Sequence, residues 1–300
     1  MPRDAGTRRA YRARRAVSTF SRRSLLVGAA AALIAPRYAS AERPITFGLT
    51  PVFLDSDVQL LARLEEYLRR FFNRPVQLVK RRTYQEITAL LVSNQLDAAW
   101  ICGFPYVQFA DQLSLVAVPL YRSEPFYQSY LIAHRDHPAT RDEDLRGSIH
   151  AFSDPDSNSG FLVTRHWLAV QGESPQTFFR KSFFTYGHRN VVRAVSSGLA
   201  HSGSVDGYIW DVLAEIEPRL VADTRVVHRS EKLGFPPIAC ARSAAQSPIT
   251  QNLQRALIAM PNDPLGRSVL SELRLDGFVQ PNPAWFAGIA DKYRFVRSVT

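Results

Sequence analysis

The sequence predicts an α/β protein of two lobes, each a mainly parallel sheet flanked by helices, with a ligand cleft between the lobes. Runs that alternate with period two are interleaved with runs whose apolar residues recur at helical spacing. That order implies parallel strands with helices on their faces. The series occurs twice along the chain, and residues 42–300 are enough for two such units.

In the first series Ile45–Thr50 alternates as a strand. Val58, Leu61, Leu64, Leu68, Phe71 and Phe72 then mark one face of a helix. Val76–Val79 is a strand, Thr83 caps a helix carrying Ile87, Leu90 and Leu91, and Asp97–Ile101 is a short buried strand. Leu115–Tyr121 and Gln128–His134 are longer extended runs, and the polar stretch 135–146 reads as a surface loop. The second series runs strand Ser148–Phe152, helix Phe161–Gln171, strand Ser182–Tyr186, helix Asn190–Ser197, then strands Ser202–Val205 and Thr224–His228. Ile238–Ala241, after Pro236 and Pro237, is an extended run placed to return to the first lobe. From Pro248 onward the pattern is mostly helical, with Pro and Gly breaks.

The net charge of +10 would suit a nucleic-acid partner, but its distribution argues against one. Residues 1–41 hold nine arginines and one acid, Asp4, which leaves 28 basic and 26 acidic residues for the body. A nearly neutral body has no electrostatic footprint for DNA or RNA. The basic segment reads instead as an export signal. Arg22-Arg23 stands directly before an Ala-rich apolar run, Ser24–Ala35, too short to span a bilayer, and Ala39-Ser40-Ala41 offers a cleavage site. Paired arginines before a mild apolar core point to the twin-arginine route and so to the periplasm. The two cysteines, Cys102 and Cys240, are too few for a disulfide scaffold; they either pair or stay buried and free.

The chemistry concentrates at Asp156-Ser157-Asn158-Ser159-Gly160, between a strand and a helix. A helix start has unpaired N–H groups and the positive pole of the dipole. Hydroxyls of Ser157 and Ser159 would add donors there, and Gly160 would let a ligand approach the backbone, an arrangement suited to a tetrahedral oxyanion. The plainer reading is a serine N-cap. A weak internal repeat lays residues 93–102 over residues 197–206, which makes Cys102 and Asp206 equivalent at two strand ends. Ligands of open α/β sheets bind outside such ends. No metal-ligand spacing, phosphate-binding loop or dinucleotide fingerprint appears, so no cofactor is expected.

The stretches Phe152–Leu162, Tyr186-Gly187-His188-Arg189-Asn190, Ala194–Gly198 and Val205-Asp206, with Tyr84 in Arg82–Glu86, resemble the periplasmic solute-binding proteins of phosphonate, phosphite and phosphate ABC transporters. The likeness covers most of residues 45–280. It implies the type 2 periplasmic-binding-protein fold, which closes on its ligand like a hinge. On that pattern residues 42–127 and 233–300 form lobe one and 128–232 lobe two. The resemblance also implies that Ser157, Asn158 and Ser159 donate to an anion, and that Tyr84 lies in the cleft. His188 either donates to the anion or caps its helix. The implied partners are a small oxyanion and an inner-membrane ABC permease, the protein itself being a monomer.

Two departures bear on the ligand. Aminoalkylphosphonate-binding members carry an acid where Arg189 stands, so a ligand ammonium is not expected here. Arg189 either faces a more anionic ligand or is an ordinary solvated helix residue. Cys102, in Trp100–Tyr106, is similar to the cleft cysteine of periplasmic arsenite sensors. As thiolate it would bond As(III) and signal to a histidine kinase ectodomain; otherwise it is a small buried hydrophobe. A third reading makes Cys102 a nucleophile with His188 as base, which requires the two to be within hydrogen-bond reach. Binding without catalysis is the expectation.

Overall fold

A computed structural model describes residues 43–51 and 58–299. The export segment 1–41 lies outside the described residues. In chain order the elements are β1 (Ile45–Leu49), α1 (Val58–Phe72), β2 (Val76–Lys80), α2 (Tyr84–Val92), β3 (Ala98–Trp100), α3 (Gly103–Gln108), β4 (Leu113–Leu120), β5 (Phe126–Tyr127) and β6 (Ser129–His134). They continue as β7 (Ile149–Phe152), α4 (Val163–Val170), α5 (Pro175–Phe178), β8 (Lys181–Phe184), α6 (His188–Ser196), β9 (Ser202–Asp206), α7 (Gly207–Ile216), α8 (Pro218–Val221) and β10 (Thr224–Arg229). The last elements are β11 (Leu233–Gly234), β12 (Ile238–Ala241), α9 (Pro248–Ala259), α10 (Pro264–Leu273), β13 (Gly277–Val279) and α11 (Ala287–Ser298). A π-helical turn, Asn158–Leu162, leads into α4.

These elements build two sheets. The first runs β13-β4-β12-β3-β1-β2 and the second β10-β6-β9-β7-β8. Without its edge strand β13, the first sheet has the same order and the same pairing directions as the second. In each, one strand pairs parallel with two neighbours, β1 with β2 and β3, and β7 with β8 and β9. In each, two further pairings are antiparallel: β12 with β3 and β4, and β6 with β9 and β10. The sheets are therefore mixed rather than mainly parallel. Apolar periodicity locates a strand without giving its direction, and β6 and β12 are the strands by which the chain passes between the sheets. The run Ile238–Ala241 does return to the first sheet, between β3 and β4. A two-stranded ribbon, β5 with β11, lies at the same two passages.

The face of α1 differs in part from the expected one: it buries Leu60, Leu64, Tyr67 and Leu68, while Val58 and Phe71 are exposed, because the apolar pattern spread over more than one side of the helix. α2 opens with a capping box in which the Thr83 side chain accepts the Glu86 N–H and the Glu86 side chain accepts the Thr83 N–H. α6 lays Val191, Val192 and Val195 on the second sheet, close enough that β9 must carry a glycine there. A Cβ on Gly203 would stand 2.5 Å from Val191 Cγ1 and 3.1 Å from the Ala151 carbonyl oxygen. The stretch 135–146 is mostly irregular but closes with a 3-10 turn, Asp142–Leu145, that buries Leu145. The C-terminal α11 packs against both α3 and α4, and so touches both halves of the fold.

Candidate ligand site

The repeat in the sheets puts four side chains at matching places. Cys102 follows β3 and is the N-cap residue of α3; Asp206 ends β9 and is the N-cap of α7. Tyr84 is the first residue of α2 and His188 the first of α6. All four are buried, and the two pairs come together where strand ends of both sheets meet.

The hydrogen bonds join the two halves. Tyr84 Oη lies 3.2 Å from His188 Nε2. His188 Nδ1 accepts the Asp206 N–H at 3.0 Å. The Asn158 N–H is donated to Cys102 Sγ at 3.2 Å, and the Asn158 side-chain amide donates to Tyr127 Oη at 2.9 Å. Ser129 Oγ donates to the Ser159 carbonyl at 2.6 Å, and the Tyr84 N–H points at Asp154 Oδ2 at 3.3 Å.

Protonation follows from this burial. His188 is pushed down to about 3 by desolvation, so its ring is neutral near pH 7. Nδ1 accepts a backbone N–H, so the ring proton sits on Nε2 and is donated to Tyr84 Oη. The Tyr84 hydroxyl hydrogen is thereby left over. Burial raises Asp206 to about 8, against two capping N–H groups, from Tyr208 and Ile209, that favour its charged form. Its carboxyl is thus mostly neutral near pH 7. Burial also raises Asp154, and lifts the Cys102 thiol to about 12 despite the Asn158 N–H. Tyr84 and Tyr127 are raised well above the ordinary phenol range by burial, so both keep their protons. His188, Asp206, Cys102, Tyr84 and Tyr127 are thus all neutral or mostly neutral near pH 7.

Each expected residue has a definite place. Tyr84, Cys102, Asn158, Ser159, His188 and Asp206 belong to the cluster. Ser157 is the helix cap, its hydroxyl oxygen accepting the Gly160 N–H at 3.0 Å. Gly160 makes its close approach to protein, since a Cβ there would stand 1.8 Å from Ser153 Oγ. The Asn158 backbone N–H and one of its two amide N–H groups are used inside the protein, on Cys102 and Tyr127. Its Oδ1 is buried and meets no donor. Arg189 turns to Glu217, to which its Nε donates at 2.9 Å, and behaves as the ordinary helix residue. Cys102 and Cys240 are both free thiols. Cys102 bonds Asn158 and His188 bonds Tyr84 and Asp206, so no Cys–His pair is formed.

Sequence reading missed Tyr127, Asp154 and Ser129. Tyr127 sits on a two-residue strand, too short to show a period. Asp154 lies within the stretch Phe152–Leu162 but was given no role there, because its proximity to the α2 start is a tertiary fact.

The two mixed sheets and the buried polar cluster between their strand ends define a type 2 periplasmic binding protein. Residues 47–286 match the family described as "ABC transporter, phosphonate, periplasmic substrate-binding protein", and the chain belongs to that family. Among solved structures, the fold is similar to a binding protein component of an ABC phosphonate transporter from Pseudomonas aeruginosa, at TM-score 0.78 and 18% identity over 86% of this chain and 88% of that one. It is also similar to PhnD1 of Prochlorococcus marinus in complex with methylphosphonate, at TM-score 0.76 and 14% identity over 84% and 98%. A third likeness is to the alkanesulfonate-binding protein of Xanthomonas axonopodis pv. citri bound to MOPS, at TM-score 0.59 and 16% identity over 87% and 96%.

Proposed function

We propose that this chain is the substrate-binding component that captures a small oxyanion of the phosphonate, phosphite or phosphate type and hands it to an inner-membrane ABC permease. The observation that carries the reading is the buried cluster itself. Tyr84, Tyr127, Ser159 and Asp206 come from both lobes and hold neutral donors toward one another, which is what a clamp closing on an oxyanion requires. Lobe one is residues 42–127 and 233–300, lobe two is 128–232, and the β5–β11 ribbon lies at the hinge. Export to the periplasm is by the twin-arginine route through Arg22 and Arg23, and the protein works as a monomer. No step of covalent chemistry is needed.

The test is a thermal-shift panel of methylphosphonate, phosphite, phosphate, sulfate and arsenite on the purified chain. A ligand at one hundred times its Kd stabilises the folded state by about 2.7 kcal/mol. A rise in Tm with at least one phosphorus oxyanion is expected. No shift with any of them would refute the reading.

The second reading, arsenite sensing with signalling to a histidine kinase ectodomain, draws on the position of Cys102 in the cluster. Against it, burial keeps this thiol protonated, whereas As(III) is bonded by thiolate sulfur. An arsenite adduct in intact-protein mass spectra that vanishes in Cys102→Ser, without any phosphonate-induced shift, would put this reading first.

A further inference from the structure

Asn158 is wholly buried and carries three polar groups that face the cluster. Its N–H is donated to Cys102, and one of its two amide N–H groups to Tyr127. Its Oδ1 is left without a donor. A buried amide oxygen is costly to leave unpaired, so its natural partner is a proton brought by the ligand.

The charges around it are equally one-sided. Asp154 and Asp206 are both in the cluster, and no lysine or arginine among the described residues acts on either carboxyl. Arg189, the nearest cation in sequence to His188, is committed to Glu217. Nothing described here would neutralise the second charge of a dianion. The donors are the Tyr84 and Tyr127 hydroxyls and the neutral Asp206 carboxyl, whose Oδ2 is not used in capping.

We propose that this cleft takes a tetrahedral oxyanion as the monoanion that carries one acidic hydroxyl, such as a hydrogen phosphonate, and rejects aprotic isosteres such as alkanesulfonates, with Asn158 Oδ1 reading the ligand's proton. The proposal rests on the oxyanion-binding function above. The ligand's bare oxygens accept from the hydroxyls, and its own hydroxyl donates to Asn158 Oδ1. A sulfonate presents only acceptor oxygens; one of them would face Asn158 Oδ1 with no proton between.

Methylphosphonate and methanesulfonate test this, because their monoanions share a shape and differ by one proton. Isothermal titration of the purified chain should favour methylphosphonate by at least about a hundredfold, since sites built to bond a ligand hydroxyl reject analogues that lack it strongly. In Asn158→Leu the ratio should fall to about tenfold or less, through lost methylphosphonate affinity while methanesulfonate affinity is kept. Wild-type affinities within about threefold of each other overturn the proposal without touching the oxyanion reading, and they do so whether or not the variant folds. An undiminished ratio in folded Asn158→Leu removes Asn158 from the role. Binding of neither compound, nor of phosphite or phosphate, refutes the oxyanion reading itself and the proposal with it.

Discussion

One backbone N–H decides the chemistry of His188. Because Nδ1 accepts from Asp206, the ring can only donate through Nε2, and Tyr84 Oη receives that proton. His188 is therefore a positioning residue: it turns the Tyr84 hydroxyl hydrogen away from itself and toward the cluster. Tyr84→Phe should delete one donor to the ligand and weaken methylphosphonate binding by roughly tenfold to a hundredfold, the equivalent of about 1.5–3 kcal/mol for a hydrogen bond to a charged group. A change below about threefold by titration calorimetry would place that hydroxyl outside the ligand contacts. This much was legible at the level of names, since Tyr84, His188 and Asp206 were all singled out. Their roles were not, because tautomer and bond direction depend on groups that are distant in sequence. Asn158 illustrates the limit most sharply: a residue expected as a donor also presents a buried oxygen without a donor, which no sequence pattern shows.

The elements repeat, and the repeat explains why Cys102 and Asp206 are legible as equivalent positions. A helix, a short turn and a small-residue strand precede Cys102, and the same series precedes Asp206, so equivalence of the two positions is written into residue spacing. The antiparallel members β6 and β12 were legible as strands, whereas their direction was not, which is why mixed sheets were read as mainly parallel. Tyr127 escaped because the β5–β11 ribbon is two residues per strand. The close approach of α6 to the second sheet gives a prediction at this scale. Gly203→Ala would press a methyl against Val191 Cγ1 at 2.5 Å and the Ala151 carbonyl at 3.1 Å, and neither a β-branched side chain nor backbone yields cheaply. A loss of about 1–3 kcal/mol is expected by urea unfolding, because small-to-large changes in a packed core force strain. An unchanged midpoint would mean that α6 sits less tightly on the sheet than these distances imply.

Across the whole molecule, buried titratable groups set opposite pH trends that separate into two windows. His150 and His188 are both lowered to about 3 by burial, and His150 is held between Ser202 and Ser204. Their folded pKa lies below the unfolded value, so their contribution is present above about 6.5 and is lost as pH falls toward 3. Asp206 is the reverse case. Its folded pKa, about 8, lies above the unfolded carboxylate value, so the unfolded chain has released a proton that the native state keeps. Stability is therefore lost as pH rises toward 8, at up to about 1.4 kcal/mol per pH unit for this one group. By about pH 7.5, one unit above the unfolded histidine value, the histidines have nearly finished titrating, and from there to about pH 8 the Asp206 trend stands alone among these three. Tm of the ligand-free protein should fall across that window. Asp206→Asn should flatten the fall, because an amide reproduces the neutral carboxyl, with Oδ1 still capping Tyr208 and Ile209 and the Nδ2 still able to donate. If differential scanning calorimetry shows the same decline in Asp206→Asn as in wild type, the proton lost in this window belongs to another group, and the neutral carboxyl assigned to Asp206 in the ligand site falls with it.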